Sequence, residues 1–269
     1  MEPERWIAPR LRCGLGNRLF QVAAAIGCSR EPVLLLPRMG IVEHGNEQLF
    51  RILCDRLPLL ESANSWVEVE EVDGKVPSIP YETQKVVLIG FFQNTDNFPE
   101  INSPRFKLLP HLPAYNPPSS SWAVHFRFGD YCVLPHHQID LGPYYYHCIS
   151  QLPKTTPLTL FSDSPESLPA IKAELESLGY KAEIFTQEDT LETLKAFAAC
   201  QGAICSNSTF AWWAAFFGWQ QSPAYKAYFP DIWLRGQPSP NLFTLPFTVS
   251  VALKSLASAS NRLNSFSFY

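Results

Sequence analysis

Residues 158–185 have the sequence LTLFSDSPESLPAIKAELESLGYKAEIF, which contains the clearest succession of strand and helix patterns in the chain. The apolar runs at 158–161 and 182–185 have the length and composition of buried strands. Between them, apolar residues recur at three- and four-residue spacing over 166–179, which predicts a helix that begins just after Ser164. A strand, a helix and a second strand in succession predict two parallel strands, since parallel neighbours need a crossover connection.

The same alternation continues on both sides of this stretch. Further strands are predicted at 124–126, 202–205 and 226–229. Helices are predicted at 190–200, capped by Asp189, and from Thr209 to Phe217, ended by Gly218. The second half of the chain is therefore predicted to form a doubly wound parallel sheet, and such sheets bind ligands beyond the carboxyl ends of their strands.

The first half shows the alternation less clearly. Its predicted elements are a strand at 5–12, a helix at 17–30 and strands at 33–36 and 85–92. The clearest change of composition lies at 111–121, HLPAYNPPSSS, which predicts a domain boundary. We therefore predict an α/β protein with Rossmann-like domains at 1–115 and 122–250 and a tail at 251–269.

The composition excludes several classes of protein. Of the 269 residues, 46% are hydrophobic and 17% are charged, which predicts a folded body. The net charge of -4 lacks the basic excess of nucleic-acid binders, so no nucleic-acid partner is expected. The seven cysteines contain no CxxC pair, which favours reduced thiols. No signal-peptide pattern is evident, and CSNST interrupts the uncharged stretch at 196–225, so we expect a cytoplasmic protein without a transmembrane span.

The first candidate motif, Gly14-Leu15-Gly16-Asn17, lies between the first predicted strand and the following helix. Gly14 and Gly16 let the backbone turn tightly and approach a ligand, and the helix start offers unpaired N–H groups to an anion. A plain tight turn is the alternative, because the third glycine of a dinucleotide fingerprint and the lysine of a P-loop are both missing.

The second motif, HFRFGDY, ends the predicted strand that begins at 124. Because alternate residues of a strand share a face, His125 and Arg127 are predicted to project together, while Phe126 and Phe128 face the other way. A guanidinium in this position can bind a phosphate bidentately. A structural ion pair between Arg127 and Asp130 is the alternative.

Two further motifs also follow predicted strands. Asp163, in FSDS, can accept hydrogen bonds from ribose hydroxyls or from the N–H edge of a purine. In SNST, the side chains of Asn207, Ser208 and Thr209 meet the positive end of a helix, where a phosphate can bind. Helix capping is the alternative for both motifs, although capping explains only one hydroxyl of the second.

The sequence predicts no metal site. It contains no Asp-x-Asp, the usual carboxylate motif for holding a metal on a nucleotide sugar. The adjacent His136 and His137 lie in a loop, where paired histidines are more often neither metal ligands nor bases. Together with Asp140, they are nevertheless the candidates for a general base, because they follow the strand that carries the arginine.

Five motifs, taken in order, resemble those of the galactoside α-1,2-fucosyltransferase family: GLGN-x-LFQ (14–21), GFFQN (90–94), HxRxGDY (125–131), FSD (161–163) and NSTFAWWAA (207–215). The resemblance implies a GT-B-like arrangement, in which two Rossmann-like domains with parallel sheets face each other across a cleft. It also implies GDP-fucose as donor, a glycan acceptor, inversion at the anomeric carbon, and no metal or other cofactor.

Carried over residue by residue, the resemblance implies that Arg127 neutralises the β-phosphate of the leaving GDP and that His125 lies by the nucleotide. Asp163 would contact guanine or ribose. Ser208 and Thr209, with Asn207 in the same motif, would hold the pyrophosphate. From the first domain, Asn17 would reach toward the fucose or its phosphate.

The chain departs from the family pattern at three positions. Cys13 and Arg18 replace a glycine and a glutamine around the GLGN turn, and Phe128 replaces a second arginine. Phe128 is a packing change if its side chain points away from the phosphate, and it weakens the donor site if not. Two alternatives therefore stay open: a noncatalytic relative that binds nucleotide sugars or glycans, and a glycosyltransferase with another nucleotide-sugar donor.

Overall fold

The computed structural model describes residues 6–28, 47–58, 66–80, 83, 85–113 and 119–257. The predicted strand at 33–36 lies outside the described residues, as does the end of the predicted tail, 258–269. The chain divides into two compact units. The first contains the residues up to Pro113 together with Pro240–Leu242, and the second contains the remainder. Each unit has one sheet of parallel strands, which confirms the predicted α/β class.

The first unit is built on a three-stranded sheet. Its elements are β1 (Trp6–Pro9), α1 (Leu15–Cys28), α2 (Glu47–Leu53), β2 (Val67–Glu70) and β3 (Lys85–Ile89), followed by 3-10 turns at Thr95–Asn97 and Pro104–Leu108. The strand order is β1-β3-β2, so β3 lies in the centre. Val86, Val87 and Leu88 of β3 are therefore buried, while β2 forms a largely exposed edge.

Helix α1 forms the core of the first unit. Every residue from Leu19 to Ile26 is fully buried, and three consecutive alanines keep this part of the helix narrow. The close packing continues at Gly27, where an added Cβ would lie 1.8 Å from the carbonyl oxygen of Asn97. The helix is thus fixed against backbone as well as against side chains.

The second unit is built on a six-stranded sheet. Its strands are β4 (Trp122–Phe126), β5 (Leu158–Ser162), β6 (Ala182–Ile184), β7 (Gly202–Ile204), β8 (Lys226–Pro230) and β9 (Thr248–Val251). Its helices are α3 (Gly142–Ser150), α4 (Leu168–Ser177), α5 (Thr190–Ala198), α6 (Thr209–Gln221) and α7 (Leu253–Ala257). All strands are parallel, as the doubly wound prediction requires.

The strand order of this sheet is β6-β5-β4-β7-β8-β9. From β4 the chain builds outward through β5 and β6 on one side, and then through β7, β8 and β9 on the other. The order therefore reverses between β4 and β7, and in open parallel sheets the ligand crevice lies at the carboxyl ends of the two strands at this reversal. The topology thus directs attention to the residues after Phe126 and after Ile204.

Helix α6 explains the long uncharged stretch of the sequence. Its residues 211–218, including Trp212, Trp213, Phe216 and Phe217, are all buried. A helix that is apolar on every side is expected in the core of a large unit, where it has no solvent face. Within the described ranges, no helix has both the length and the apolarity that a membrane crossing requires.

The predicted end of α6 at Gly218 is wrong. The helix continues to Gln221, because Gly218 serves close packing: a Cβ there would lie 2.5 Å from the ring of Tyr225. The cap of α5 is confirmed, since the carboxylate of Asp189 accepts a hydrogen bond from the backbone N–H of Glu192 at 2.9 Å.

Two further boundaries differ from the prediction. The helix predicted over 166–179 begins as a 3-10 turn at Pro165–Ser167, and α4 proper starts at Leu168. The strand predicted at 85–92 ends at Ile89, because the backbone leaves the sheet before Phe92, which has a φ of 51°. Both differences fall where a helix or strand meets its turn.

Candidate functional site

The carboxyl edge of the six-stranded sheet brings three predicted motifs together. Residues 127–131 follow β4, Asp163 follows β5, and residues 206–208 follow β7. Because β4 lies between β5 and β7, the turn after β4 can be contacted from both sides. Groups from both neighbouring strand ends do contact it: the side chain of Asp163 on the β5 side and the backbone carbonyl of Asn207 on the β7 side.

Arg127 lies between two carboxylates at this edge. Its Nη2 donates to Oδ1 of Asp130 at 2.7 Å, and its Nη1 lies 3.2 Å from Oδ2 of Asp163. The guanidinium also lies over the ring of Tyr131, 5.2 Å from its centre. The side chain is 29% exposed, so solvent or a ligand can still reach it. The ion pair with Asp130 is therefore present, together with a second one.

Both carboxylate oxygens of Asp163 contact the turn after β4. Its Oδ1 accepts a hydrogen bond from the backbone N–H of Phe128 at 2.9 Å, while its Oδ2 faces Arg127. The neighbouring Ser164 accepts from the N–H of Gly129 at 3.4 Å and makes no capping bond. The predicted contact of Asp163 with ribose or guanine stays a prediction.

His125 is enclosed at the end of β4. Only 4% of the residue is exposed, its Nδ1 lies 2.9 Å from the hydroxyl of Ser206, and its ring centre lies 6.2 Å from those of Phe197 and Phe210. Burial, and secondarily the charge of Arg127, lowers the pKa of His125 from 6.5 to about 3. The imidazole is therefore uncharged at neutral pH, and its visible role is to hold the loop after β7.

Phe128 belongs to the core. Its ring stacks on that of Phe126 with centres 6.1 Å apart, and both residues belong to the buried cluster on one side of β4. Arg127 is directed instead toward Asp130 and Asp163. At this position the departure from the family pattern thus adds an aromatic ring to the core, away from the Arg127 cluster.

The loop between β7 and α6 is held by buried polar contacts. Ser206, Asn207 and Ser208 are all buried, and Nδ2 of Asn207 donates to the carbonyl of Trp233 at 2.9 Å. The hydroxyl of Tyr131 donates to the carbonyl of Asn207 at 3.0 Å. Ser208 makes no side-chain capping bond, so it does not occupy the N–H groups with which α6 begins.

The first unit carries the Gly14–Asn17 motif at the start of α1. Gly14 has open space around the position of an added Cβ, and Gly16 is buried. Oδ1 of Asn17 accepts a hydrogen bond from Nε2 of Gln93 at 2.8 Å, which joins this turn to the segment after β3. Gln93 lies in the GFFQN motif, where sequence reasoning assigned no role to it.

Cys13 and Arg18, two departures from the family pattern, are in contact. Arg18 is buried, and its Nε donates to the carbonyl of Cys13 at 2.9 Å. Cys13 has a φ of 64°, the left-handed region that a glycine adopts without strain. Arg18 therefore supports a strained turn from within α1.

The three candidates for a general base have separate environments. Asp140 accepts from the N–H of Gly142 at 3.0 Å, at the start of α3, and His136 is exposed. The ring centre of His137 lies 4.1 Å from that of Tyr131, and burial is the main cause that lowers the pKa of His137. His137 is thus the only one of the three that the structure links by a ring contact to the Arg127 turn within the described residues.

Tyr131 is the residue of this edge whose importance the sequence did not reveal. It contacts Arg127, His137 and the carbonyl of Asn207 at once. A tyrosine five residues after the end of β4 gives no signal in the sequence, because its hydrogen bond goes to Asn207, which follows a different strand, β7. Among the described residues, no group of three or more histidines, cysteines or acidic residues is placed to hold a metal ion.

Comparison of the chain with protein-family models and with curated proteins finds no match. The resemblance to the α-1,2-fucosyltransferase family therefore stays a prediction that rests on its five motifs.

Proposed function

We propose that the protein is an inverting, metal-independent glycosyltransferase that transfers L-fucose from GDP-fucose to a hydroxyl of a glycan acceptor, O2 of a galactoside. The observation that carries the proposal is the position of Arg127, directly after β4, with the start of α6 directly after the loop that follows β7. These are the two strands between which the sheet order reverses, where parallel sheets bind their ligands.

The chemistry of this edge suits a diphosphate. A guanidinium can donate two parallel hydrogen bonds to phosphate oxygens, and the first N–H groups of a helix favour an anion. Ser208 and Thr209 stand at the start of α6 and would hold the pyrophosphate, while Asn207 fixes the loop through the carbonyl of Trp233. With a net charge of -4, the protein must bind an anion through such local groups.

The transfer itself demands charge stabilisation at the leaving group. As the bond between fucose and GDP stretches, negative charge develops on the β-phosphate, and preorganised donors stabilise it most. Arg127 would supply the positive charge. His125 is uncharged and hydrogen-bonded to Ser206, so its part is to support the loop that leads into α6.

The first unit would complete a GT-B-like enzyme. We assign Gly14, Gly16 and Asn17 to the side of the donor that carries the fucose, because their turn lies at the carboxyl end of β1, as the Arg127 turn lies at that of β4. In this proposal the two parallel sheets face each other across a cleft, and the glycan acceptor binds to the first unit. His137 is the best-placed candidate for the base in the second unit.

The experiment that tests the proposal is release of GDP from GDP-fucose in the presence of a galactoside. Arg127→Ala should lower turnover by about 10²- to 10³-fold, the usual cost of losing one transition-state donor. Lys181→Ala is a matched control, since it removes a cation that is 73% exposed at the amino end of β6. Normal turnover by a folded Arg127→Ala protein would refute the assignment.

The donor is tested separately by thermal shift with GDP, UDP and ADP, because at equal concentration the ligand that binds the folded state more tightly stabilises it more. We expect GDP to give the largest shift. A larger shift with UDP would indicate another nucleotide-sugar donor. Binding of GDP-fucose without release of GDP over a broad set of acceptors would indicate a noncatalytic binding protein.

A further inference from the structure

The turn that follows β4 is fastened on both sides. On the β5 side, Asp163 accepts a hydrogen bond from the N–H of Phe128 at 2.9 Å and contacts Nη1 of Arg127 at 3.2 Å. On the β7 side, the hydroxyl of Tyr131 donates to the carbonyl of Asn207 at 3.0 Å. Arg127 therefore lies on a turn that is held to both neighbouring strand ends, through its backbone on the β5 side and through the Tyr131 side chain on the β7 side.

The carboxylate of Asp163 is directed at this turn. One oxygen meets the backbone of Phe128 and the other meets the guanidinium, and the side chain is only 21% exposed. Gly129 makes this approach possible, because an added Cβ would lie 2.2 Å from Oδ2 of Asp163. A side chain at position 129 would displace the carboxylate from its place.

We propose that Asp163 is a positioning residue that orients Arg127 for a diphosphate, rather than a group that contacts the nucleoside. By binding the backbone N–H of Phe128 and the guanidinium together, the carboxylate couples the path of the turn to the direction of the side chain. Holding a long side chain in place before the ligand arrives removes the cost of ordering it during binding. The inference rests on the proposed function and names the group on which Arg127 depends.

Asp130 offers a built-in comparison. It also pairs with Arg127, at 2.7 Å, but it is 52% exposed and lies in the same turn, three residues further along. Its contact therefore cannot fix the turn relative to β5. Instead, its carboxylate competes with a phosphate for the guanidinium.

The test measures binding of inorganic pyrophosphate, GDP and guanosine by calorimetry. For Asp163→Ala we expect affinity for pyrophosphate and GDP to fall about tenfold or more, the effect of losing a charge-assisted hydrogen bond, with guanosine affinity unchanged. Asp163→Asn keeps an oxygen for the N–H of Phe128 but presents an amide N–H₂ to the guanidinium, so it should recover only a small part of the loss. Asp130→Asn removes the competing carboxylate and should strengthen pyrophosphate binding.

Two results of the binding measurements would overturn the inference. If Asp163→Ala loses guanosine affinity and keeps pyrophosphate affinity, Asp163 contacts the nucleoside. The second result comes from Gly129→Ala, which should weaken pyrophosphate binding strongly in the natural protein and much less in an Asp163→Ala background, where the collision partner is missing. Additive effects of the two substitutions would contradict the coupling.

Heteronuclear NMR of the Arg127 guanidinium measures how ordered this side chain is. This measurement separates the inference from the proposed function. We expect the Arg127 signals of Asp163→Ala to move toward those of free arginine, while circular dichroism stays unchanged. If the natural protein binds neither GDP nor pyrophosphate, the proposed function fails, and the NMR comparison still decides the role of Asp163. An equally ordered Arg127 in both proteins would refute that role.

Discussion

Each unit contains one turn that leads from a strand into its most buried helix, and the two turns are held in different ways. Before α1, the helix supports the turn: Arg18 donates to the carbonyl of Cys13, and Gln21 accepts from the N–H of Arg12 at 3.0 Å. Before α6, the turn supports itself: the buried Ser206 and Asn207 reach groups outside the helix.

These two turns show two ways of placing polar groups at the start of a buried helix. Helix α1 carries its polar residues inward and leaves the turn with a strained residue, Cys13, at a φ of 64°. Helix α6 is apolar throughout its buried part, and the polar contacts are made by Ser206 and Asn207 in the loop before it. The second arrangement keeps the first N–H groups of α6 unencumbered by a Ser208 cap, which suits an anion site.

The prediction with the greatest loss of stability concerns one tightly packed glycine in each of the two helices, Gly27 after the buried part of α1 and Gly218 in α6. Gly27→Ala would place a Cβ 1.8 Å from a backbone carbonyl, whereas Gly218→Ala would place one 2.5 Å from the Tyr225 ring. Because a ring can shift more easily than backbone, we expect losses of about 3 kcal/mol for Gly27→Ala and about 1 kcal/mol for Gly218→Ala. Urea unfolding followed by circular dichroism measures both, and the reverse order would contradict the packing described for α1.

The next prediction compares the stability lost when the asparagine of each turn, Asn207 before α6 or Asn17 before α1, is replaced by alanine. Asn207→Ala removes the buried hydrogen bond from Asn207 to the carbonyl of Trp233 and should lower the free energy of unfolding by about 2 kcal/mol. Asn17→Ala should cost only about 0.5 kcal/mol, because its partner Gln93 is half-buried and can turn to water. Equal losses would show that the loop before α6 does not depend on its buried contacts.

The smallest effect is the pH dependence of the loop before α6. Burial lowers the pKa of His125 from 6.5 to about 3, so the unfolded chain takes up a proton below pH 6.5 while the folded protein does not. Stability should therefore fall as the pH falls, by about 1 kcal/mol between pH 6.5 and about pH 5.5.

The His125→Gln variant should lose this slope when urea unfolding is measured across the same pH range. His111→Gln is the matched variant in the first unit, where Asp55, 3.6 Å away, opposes the lowering of the His111 pKa by burial. We expect its change in slope to be smaller. An unchanged slope in His125→Gln would mean that the imidazole is not enclosed.

The alternation of strand and helix patterns along the sequence was sufficient to predict the α/β class and the parallel strands of the second unit, and the residue type of Asp189 was sufficient to predict its cap. Residue type failed at Gly218, since a glycine that ends a helix and a glycine that admits a neighbouring ring look the same in sequence. Strand β9 and helix α3 were not predicted either, because their polar and Gly-Pro-Tyr-rich sequences resemble loops.

Some features of the candidate site could likewise be predicted from the sequence, and others could not. The sequence alone was enough to predict that polar motifs follow the strands, with Arg127 as the cation among them and the aromatic Phe128 beside it. The folded chain was needed to show that Phe128 joins the core, that His125 is enclosed, and that Asp163 and Tyr131 hold the turn after β4. The reason is strand order: residues that are tens of positions apart become neighbours only when β4 lies between β5 and β7.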